Sequence, residues 1–357
     1  MTARAKTAPL AVVVVPGIFG SDLVSQKPGK HGATRETTVY SSSWRWTLTT
    51  LLGAALRRGA LLQLPQAGGV EIRVKGLAPA CRGSIPLLPA YAGYEPLLDA
   101  LGSIPGLERG HNLLAFPFDW RRSHLELSKE LRDFCCQLLD RLDPSSEAKT
   151  RLVLVGHSMG GTLSALAAVA PELKPQTALV VTIGTPWSGS VNAAVMVLSG
   201  LGIPFPGAAK LTKAFGSFPG LVELAATFPA FDDGTGRRLL GQFGPFARVL
   251  SKAGGNTIAL ATALAADPTT APPMAHLIGH GYRTAVSARA AGPVLKTVGT
   301  GDGDSIVPTQ SARPATGLGS GGDVTLFSSS YHSNLPADPL VVRHVEELIR
   351  KLVPADS

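Results

Sequence analysis

Short runs of apolar residues alternate along this chain with longer segments in which apolar residues recur at helical spacing. The short runs predict buried β-strands, at Ala11–Val15, Leu113–Phe116, Leu152–Val155, Ala178–Ile183, Val294–Val298 and Val324–Phe327. The longer segments predict helices at Tyr94–Leu101, Leu125–Leu142, Gly161–Ala170 and Pro339–Leu352. Apolar strands that alternate with helices indicate a mostly parallel sheet with helices on both faces. The predicted fold class is therefore α/β.

A first stretch that interrupts this alternation covers residues 27–90. It is rich in Ser, Thr, Gly and Pro and contains Trp44 and Trp46. Because amphipathic indole rings suit a lipid interface, the two tryptophans are candidates for contact with lipid, although packing of the rings onto the core explains them equally well. We interpret this stretch as a lid segment within the core.

A second interruption separates the predicted strands that end at Ile183 and begin at Val294. These strands are about 110 residues apart, far more than a crossover needs. The gap has helical patterns of its own, at Leu221–Thr227 and Arg237–Phe243, which indicate an inserted cap. The predicted organisation is a core of residues 1–190 and 291–357, with the lid at 27–90, and a cap at 191–290.

The strand predicted at Leu152–Val155 is followed by Gly156-His-Ser-Met-Gly160 and then by an alanine-rich helix. This strand–turn–helix context around G-x-S-x-G is typical of a nucleophile elbow. The sharp turn presents the hydroxyl of Ser158 clear of the sheet, and side chains at the two glycine positions would collide with neighbouring backbone. Ser158 is therefore the candidate nucleophile.

A serine nucleophile needs a base, and the base needs an orienting acid. In folds with this elbow, an Asp or Glu follows the serine along the chain and a His comes last. Asp304 stands in a loop after the strand predicted at Val294–Val298 and begins a D-x-x-V-P sequence, while Asp302 in the same loop is its competitor. His332 follows the last predicted strand and is the candidate base.

The oxyanion of a tetrahedral intermediate needs two backbone N–H donors. One is expected from Met159, directly after the nucleophile, and the other from the loop that follows an early strand. The loop Pro16-Gly-Ile-Phe-Gly20 fits this position, with Ile18 as the donor.

No metal or cofactor is predicted. His276 and His280 have the spacing of metal ligands on a helix, but neighbouring glycines and prolines oppose a helix and no third ligand is evident. The glycines at 299–303 resemble a phosphate-binding loop, yet neither a lysine nor a following helix accompanies them.

The formal charge is +8 and the pI about 9.6, but the basic residues are scattered in pairs rather than clustered. This distribution argues against nucleic-acid binding. It is compatible with transient contact with an anionic membrane surface, although a generally basic proteome accounts for it more simply. Three cysteines, two of them adjacent, argue against a disulfide framework and favour a reducing compartment. The N-terminal apolar run is better interpreted as a strand than as a signal peptide, so a cytoplasmic location is expected.

Six short motifs together resemble the lecithin:cholesterol acyltransferase family, which includes lysosomal phospholipase A2 and phospholipid:diacylglycerol acyltransferases. They are Val15-Pro-Gly-Ile-Phe-Gly20, Phe116-Pro-Phe-Asp-Trp-Arg121, Gly156-His-Ser-Met-Gly160, Ile183-Gly-Thr-Pro-Trp187, Asp304-Ser-Ile-Val-Pro308 and Tyr331-His332. The resemblance implies an α/β-hydrolase core, a triad of Ser158, Asp304 and His332, and an oxyanion hole at Ile18 and Met159. It also implies that Asp119 and Arg121 are structural ties.

The residues and the resemblance predict a serine-dependent lipid acyl-ester hydrolase or O-acyltransferase with no cofactor. The predicted substrate contacts are Phe19, Trp44, Trp46 and Trp187. A small-molecule carboxylesterase or thioesterase is the alternative enzyme. The non-enzymatic alternative is a binding protein on the same fold, which would be expected to lack one member of the triad. The oligomeric state and the choice between water and alcohol as acyl acceptor stay open.

Overall fold

The computed structural model describes the chain over ten ranges, which are residues 9–28, 34–42, 71–81, 91–143, 149–200, 208–252, 272–292, 294–314, 323–328 and 330–353. Trp44 and Trp46 lie outside these ranges, so their predicted contact with substrate stays a prediction. None of the described helices has the length and apolar character needed to cross a membrane.

Six parallel strands form the central sheet, in the spatial order β13-β10-β7-β6-β1-β5. They are β1 Leu10–Val15, β5 Leu113–Ala115, β6 Arg151–His157, β7 Thr177–Ile183, β10 Met274–Gly279 and β13 Asp323–Phe327. All six residues of β1 are buried. A parallel sheet covered on both faces favours such continuous apolar strands. The predicted α/β class with a mostly parallel sheet is confirmed.

Nine α-helices lie within the described residues. They are α1 Glu95–Gly102, α2 His124–Leu142, α3 Met159–Ala168, α4 Val191–Ser199, α5 Ala208–Phe215, α6 Pro219–Val222, α7 Gly244–Lys252, α8 Thr309–Ala312 and α9 Pro339–Arg350. Alternate residues of β1 show how two cores form on the two faces of the sheet. Val13 packs into one core with apolar residues of α2 and α3, whereas Val12 packs into the other with α1 and α9.

Two smaller sheets flank the central one. An antiparallel sheet of order β3-β2-β4 starts after the loop Pro16–Gly20 and consists of β2 Ser21–Pro28, β3 Thr34–Tyr40 and β4 Glu71–Leu77. A four-stranded sheet of order β12-β11-β8-β9 consists of β8 Phe231–Asp232, β9 Arg237–Arg238, β11 Tyr282–Ala291 and β12 Val294–Gly303.

The prediction that Val294–Val298 is a strand of the central sheet is wrong. This segment lies in β12, which pairs antiparallel with β11 in the four-stranded sheet. Lys296 and Thr297 are exposed and Val298 is 50% exposed, because this strand is not buried on both faces. Residues 274–279, placed in the cap by the sequence interpretation, form β10 of the central sheet. The other boundaries of core, lid and cap stay predictions.

Two helical patterns predicted within the cap are also altered. The segment Arg237–Phe243 forms the short strand β9 and a 3₁₀ turn at Leu240–Gln242 instead of one helix. At Leu221–Thr227, the helix α6 ends at Val222 and the chain then pairs through Ala225 with Ser190. Apolar spacing alone could not distinguish these short turns from helices, since their burial comes from contacts with distant parts of the chain.

Candidate active site

Ser158 lies at the turn between the carboxyl end of β6 and the first residue of α3. Its backbone adopts φ 53° and ψ −123°, a conformation that residues other than glycine rarely adopt. Close packing enforces the turn: a Cβ on Gly156 would lie 2.5 Å from the carbonyl oxygen of Gly160. The N–H of Ser158 donates to the carbonyl of Ile183 on β7, 2.8 Å away. These features are those of a nucleophile elbow.

Ser158, His332 and Asp304 form a continuous hydrogen-bonded chain. The Oγ of Ser158 is 2.9 Å from Nε2 of His332, and Nδ1 of His332 is 2.6 Å from Oδ2 of Asp304. All three side chains are buried, with 4%, 7% and 0% of each residue exposed. A buried carboxylate at Nδ1 favours the tautomer that leaves Nε2 free to accept the serine proton.

Asp304 is held by backbone groups on the side away from the histidine. Its Oδ1 accepts from the N–H of Ile306 at 3.0 Å and of Val307 at 2.7 Å. Its carbonyl accepts from the N–H of His332 at 2.8 Å. These bonds fix the carboxylate plane so that Oδ2 faces the imidazole.

Asp302, the competing acid, has other partners. Its carboxylate accepts from the hydroxyl of Thr309 at 2.6 Å and from the N–H of Gly281 at 2.7 Å. The Thr309 hydroxyl, followed by the Gly281 N–H, lowers the pKa of Asp302 below its usual value. The geometry therefore joins Asp304, and not Asp302, to His332.

The loop predicted to supply an oxyanion donor lies directly against the nucleophile. A Cβ on Gly17 would approach the Cβ of Ser158 to 2.9 Å, so only glycine allows this approach. The loop closes through a bond of 3.0 Å from the N–H of Gly20 to the carbonyl of Gly17. Ile18 follows Gly17 in this loop, and Met159 begins α3 next to Ser158. The two predicted donors thus belong to segments that meet at the nucleophile.

The predicted substrate contacts Phe19 and Trp187 have different surroundings. Phe19 is half-buried, and its ring centroid is 4.4 Å from that of Trp120 and 5.5 Å from that of Tyr40. Trp187 is only 1% exposed and lies edge-on to His276, with centroids 5.5 Å apart. Phe19, next to Ile18, is therefore the more accessible of the two.

Asp119 and Arg121 form a buried ion pair beside the site. Two guanidinium nitrogens of Arg121 donate to the two carboxylate oxygens of Asp119, at 2.7 and 2.6 Å. Arg121 is fully buried, and the intervening Trp120 donates through Nε1 to the carbonyl of Ser21 at 3.3 Å. This bidentate geometry agrees with a structural role.

The histidine pair considered for metal binding does not form a cluster. His276 is buried in β10, where its Nδ1 is 2.8 Å from the hydroxyl of Thr182, and burial lowers its pKa to about 4. His280 follows this strand instead of sharing a helix with His276. Within the described ranges, no group of three or more His, Cys, Asp or Glu side chains is arranged to hold a metal ion.

Two further residues contact the site without having been predicted to do so. Tyr94, the residue before α1, and His157, the last residue of β6, are hydrogen-bonded to each other and to the two loops around Ser158. The position of His157 inside the G-x-S-x-G sequence is a local signal. Tyr94 has none, because it is 63 residues away from His157 along the chain.

Comparisons with known proteins show similarity to one protein family and to several solved structures. A family model described as lecithin:cholesterol acyltransferase matches residues 60–222. No curated protein sequence matches the chain. Among solved structures, the Tle4–Tli4 complex contains a chain 14% identical to this one, with a TM-score of 0.59 over 97% of this chain and 99% of that chain.

Two other solved structures cover most of the chain at lower TM-scores. The mature lipase BlEst2 of Bacillus licheniformis is 12% identical over 98% of this chain and 95% of its own, with a TM-score of 0.37. The peroxisomal α/β-hydrolase Lpx1 of Saccharomyces cerevisiae is 10% identical over 99% of this chain and 80% of its own, with a TM-score of 0.39. At 14% identity, the chain of the Tle4–Tli4 complex informs the fold alone.

The parallel central sheet with a nucleophile elbow at its carboxyl edge defines an α/β-hydrolase. Within that class, the match of residues 60–222 to the lecithin:cholesterol acyltransferase model agrees with the resemblance that the sequence motifs indicate. The predicted enzyme class, a serine ester hydrolase or acyltransferase, is confirmed by this match together with the fold.

Proposed function

We propose that this protein is a lipid acyl-ester hydrolase or O-acyltransferase that works through a covalent acyl-enzyme on Ser158. The observation that carries the proposal is the buried hydrogen-bonded chain from Ser158 through His332 to Asp304. Such a chain makes a hydroxyl nucleophilic at neutral pH, since the base can accept the proton as the bond to carbon forms.

In the first half-reaction, Oγ of Ser158 attacks the ester carbonyl while Nε2 of His332 accepts its proton. Asp304 stabilises the resulting imidazolium. The backbone N–H groups of Ile18 and Met159 donate to the oxyanion. The tetrahedral intermediate then collapses, and His332 returns the proton to the leaving alcohol or lysolipid.

In the second half-reaction, water or an alcohol attacks the acyl-enzyme. His332 accepts the proton of this acceptor and gives it back to Ser158 as the acyl group leaves. Hydrolysis and transfer use the same three side chains, so the acceptor depends on which molecule reaches the acyl-enzyme.

A lipid acyl group is favoured over a small one by the family match and by the aromatic group beside the oxyanion loop. Phe19, Tyr40 and Trp120 pack together at this position, and Phe215 of α5 lies 6.5 Å from Phe19 between ring centroids. Each methylene buried against such a surface stabilises binding by about 0.8 kcal/mol, roughly a fourfold gain in affinity.

Fluorophosphonate labelling tests the nucleophile. The unsubstituted protein should be labelled on Ser158, and S158A should lose both labelling and turnover, the latter by about 10⁴-fold or more. S103A is the control, because this exposed hydroxyl is bonded to the carbonyl of Ala100 and to the guanidinium of Arg350 and not to a member of the triad. Labelling at another serine, or labelling that persists in S158A, would contradict the proposal.

Product analysis with a labelled phospholipid in vesicles, with and without added alcohol, tests the substrate and the acceptor. Release of fatty acid identifies a hydrolase, and formation of a new ester identifies an acyltransferase. The specificity constant should rise with acyl length. A maximum for acetyl esters, with no gain on vesicles, would instead identify a small-molecule esterase, and no turnover of any ester would identify a binding protein.

A further inference from the structure

We propose that Tyr94 and His157 are positioning residues that hold the oxyanion loop and the catalytic base in register around Ser158. This role rests on the proposed function. The two side chains form a buried hydrogen-bonded bridge between segments that must keep a fixed geometry during catalysis, namely the loop at Gly17 and the main chain at His332.

Three hydrogen bonds make up the bridge. The N–H of Gly17 donates to the hydroxyl oxygen of Tyr94 at 2.7 Å. That hydroxyl is 2.8 Å from Nδ1 of His157, and Nε2 of His157 is 3.0 Å from the carbonyl oxygen of His332. Tyr94 is 2% and His157 5% exposed, so water competes little for these bonds.

Only one arrangement of protons satisfies all three bonds. A carbonyl can only accept, so Nε2 of His157 must carry a proton. Because burial, and then the nearby His332, lower the pKa of His157 well below its ordinary value, its ring is neutral. Nδ1 is therefore a bare acceptor, and the hydroxyl of Tyr94 donates to it while accepting from Gly17. The direction of every bond is thus determined.

The bridge completes the support of the catalytic base. The N–H of His332 donates to the carbonyl of Asp304, and its carbonyl accepts from His157, so the main chain of the base is fixed on both sides. The His157 and His332 ring centroids are 5.0 Å apart. A neutral His157 at this distance does not oppose the positive charge that His332 acquires in the transition state.

The same bridge fixes the oxyanion loop one residue before its proposed donor, Ile18. Tyr94 directly precedes α1, and helix α1 packs into the core on one face of the sheet with its three buried leucines, Leu97, Leu98 and Leu101. The loop is therefore tied to a rigid helix instead of depending on its own short turn. Small displacements of such donors reduce catalysis strongly, since an error of about 1 Å can cost about 100-fold.

Three variants test the role. Y94F removes the hydroxyl and keeps the ring. In H157N, the shorter amide keeps an acceptor near the position of Nδ1 but does not reach the carbonyl of His332. In H157Q, the longer amide places a donor near the position of Nε2, where it can reach that carbonyl. We expect kcat on p-nitrophenyl butyrate, per site titrated with fluorophosphonate, to fall about 10- to 100-fold in Y94F and H157N. KM should stay within about twofold of the value for the unsubstituted protein. In H157Q, kcat should fall much less than in H157N.

H124N is the matched control. His124 is also buried, and its Nε2 also lies 3.0 Å from a carbonyl oxygen, that of Gly220. Its loss should lower the urea midpoint of unfolding without changing kcat per titrated site. A merely structural role for Tyr94 and His157 would give this same pattern.

Wild-type kcat and labelling rates in Y94F and H157N would overturn the positioning role alone, and so would equal losses in H157N and H157Q. Should Y94F fail to fold, the two His157 variants decide the question. An unsubstituted protein that does not react with fluorophosphonate would overturn the proposed function, and the positioning role with it.

Discussion

Replacing Asp304 by asparagine tests the assignment of the acid most directly. The substitution keeps the shape of the side chain and removes one charge. Oδ1 of Asp304 accepts two backbone N–H bonds, from Ile306 and Val307, so the amide oxygen of asparagine must occupy that position. The amide NH₂ is then forced to face Nδ1 of His332, where a carboxylate oxygen lies 2.6 Å away in the unsubstituted protein.

The forced orientation determines the size of the effect. An NH₂ group can only donate, so Nδ1 must be unprotonated and the imidazole proton moves to Nε2, which faces Ser158. The base can then no longer accept the serine proton. A triad with the wrong tautomer loses about 10⁴-fold in kcat, which corresponds to about 5 kcal/mol of transition-state stabilisation.

Steady-state kinetics on a soluble p-nitrophenyl ester, with circular dichroism to confirm folding, measures this effect. D302N is the matched control, since it changes the other acid of the same loop, whose partners are Thr309 and Gly281. We expect D302N to retain kcat within about tenfold, because these bonds support the loop without contacting the base. If D302N lost far more activity than D304N, with both variants folded, the reasoning from hydrogen-bond geometry would be refuted.

Two further predictions concern stability. D119A should lower the free energy of unfolding by about 3 kcal/mol in urea titrations, since Arg121 is fully buried against Asp119. D99A is the control and should lower it by less than about 1 kcal/mol, because the ion pair of Asp99 with Arg109 is exposed. Equal effects of the two substitutions would contradict the argument. Burial lowers the pKa of His124 and of His276 to about 4. The unfolded chain, with a histidine pKa of about 6.5, therefore takes up protons that the folded chain does not, and stability should fall as pH drops from about 6.5 to 4, by about 1.4 kcal/mol per pH unit for each histidine. Urea midpoints that do not change between pH 7 and pH 5 would contradict this sign.

The candidate site could be predicted from the sequence because its signals are local. G-x-S-x-G between a strand and a helix identifies Ser158 within a few residues. The order of acid and base along the chain then reduces the choice to Asp304 or Asp302 and to His332. The D-x-x-V-P sequence and the family resemblance favour Asp304, but residue patterns alone keep Asp302 as a competitor, since both stand in one glycine-rich loop and differ in partners that are distant in sequence.

The parts that could not be predicted depend on contacts between distant segments. Met274–Gly279 contains a histidine and follows two prolines, so its six residues gave little sign of a central strand. Val294–Val298 has the apolar residues of a strand, but pairing with β11 places it in another sheet. The bridge through Tyr94 has no sequence signal, because it forms only when α1 and β6 pack together.

The wrong placement of Val294–Val298 in the central sheet did not affect the prediction of Asp304 as the acid, and there is a physical reason for this. Asp304 follows β12, yet it lies at the carboxyl edge of the central sheet because glycines end the adjacent strands. A Cβ on Gly279, the last residue of β10, would come within 2.6 Å of the Cβ of Asp304. A Cβ on Gly184, directly after β7, would lie 3.2 Å from both Oδ2 of Asp304 and Nδ1 of His332. Asp304 and His332 thus occupy the space that these two glycines leave open. This placement does not depend on whether the strand before Asp304 belongs to the central sheet or to the four-stranded sheet.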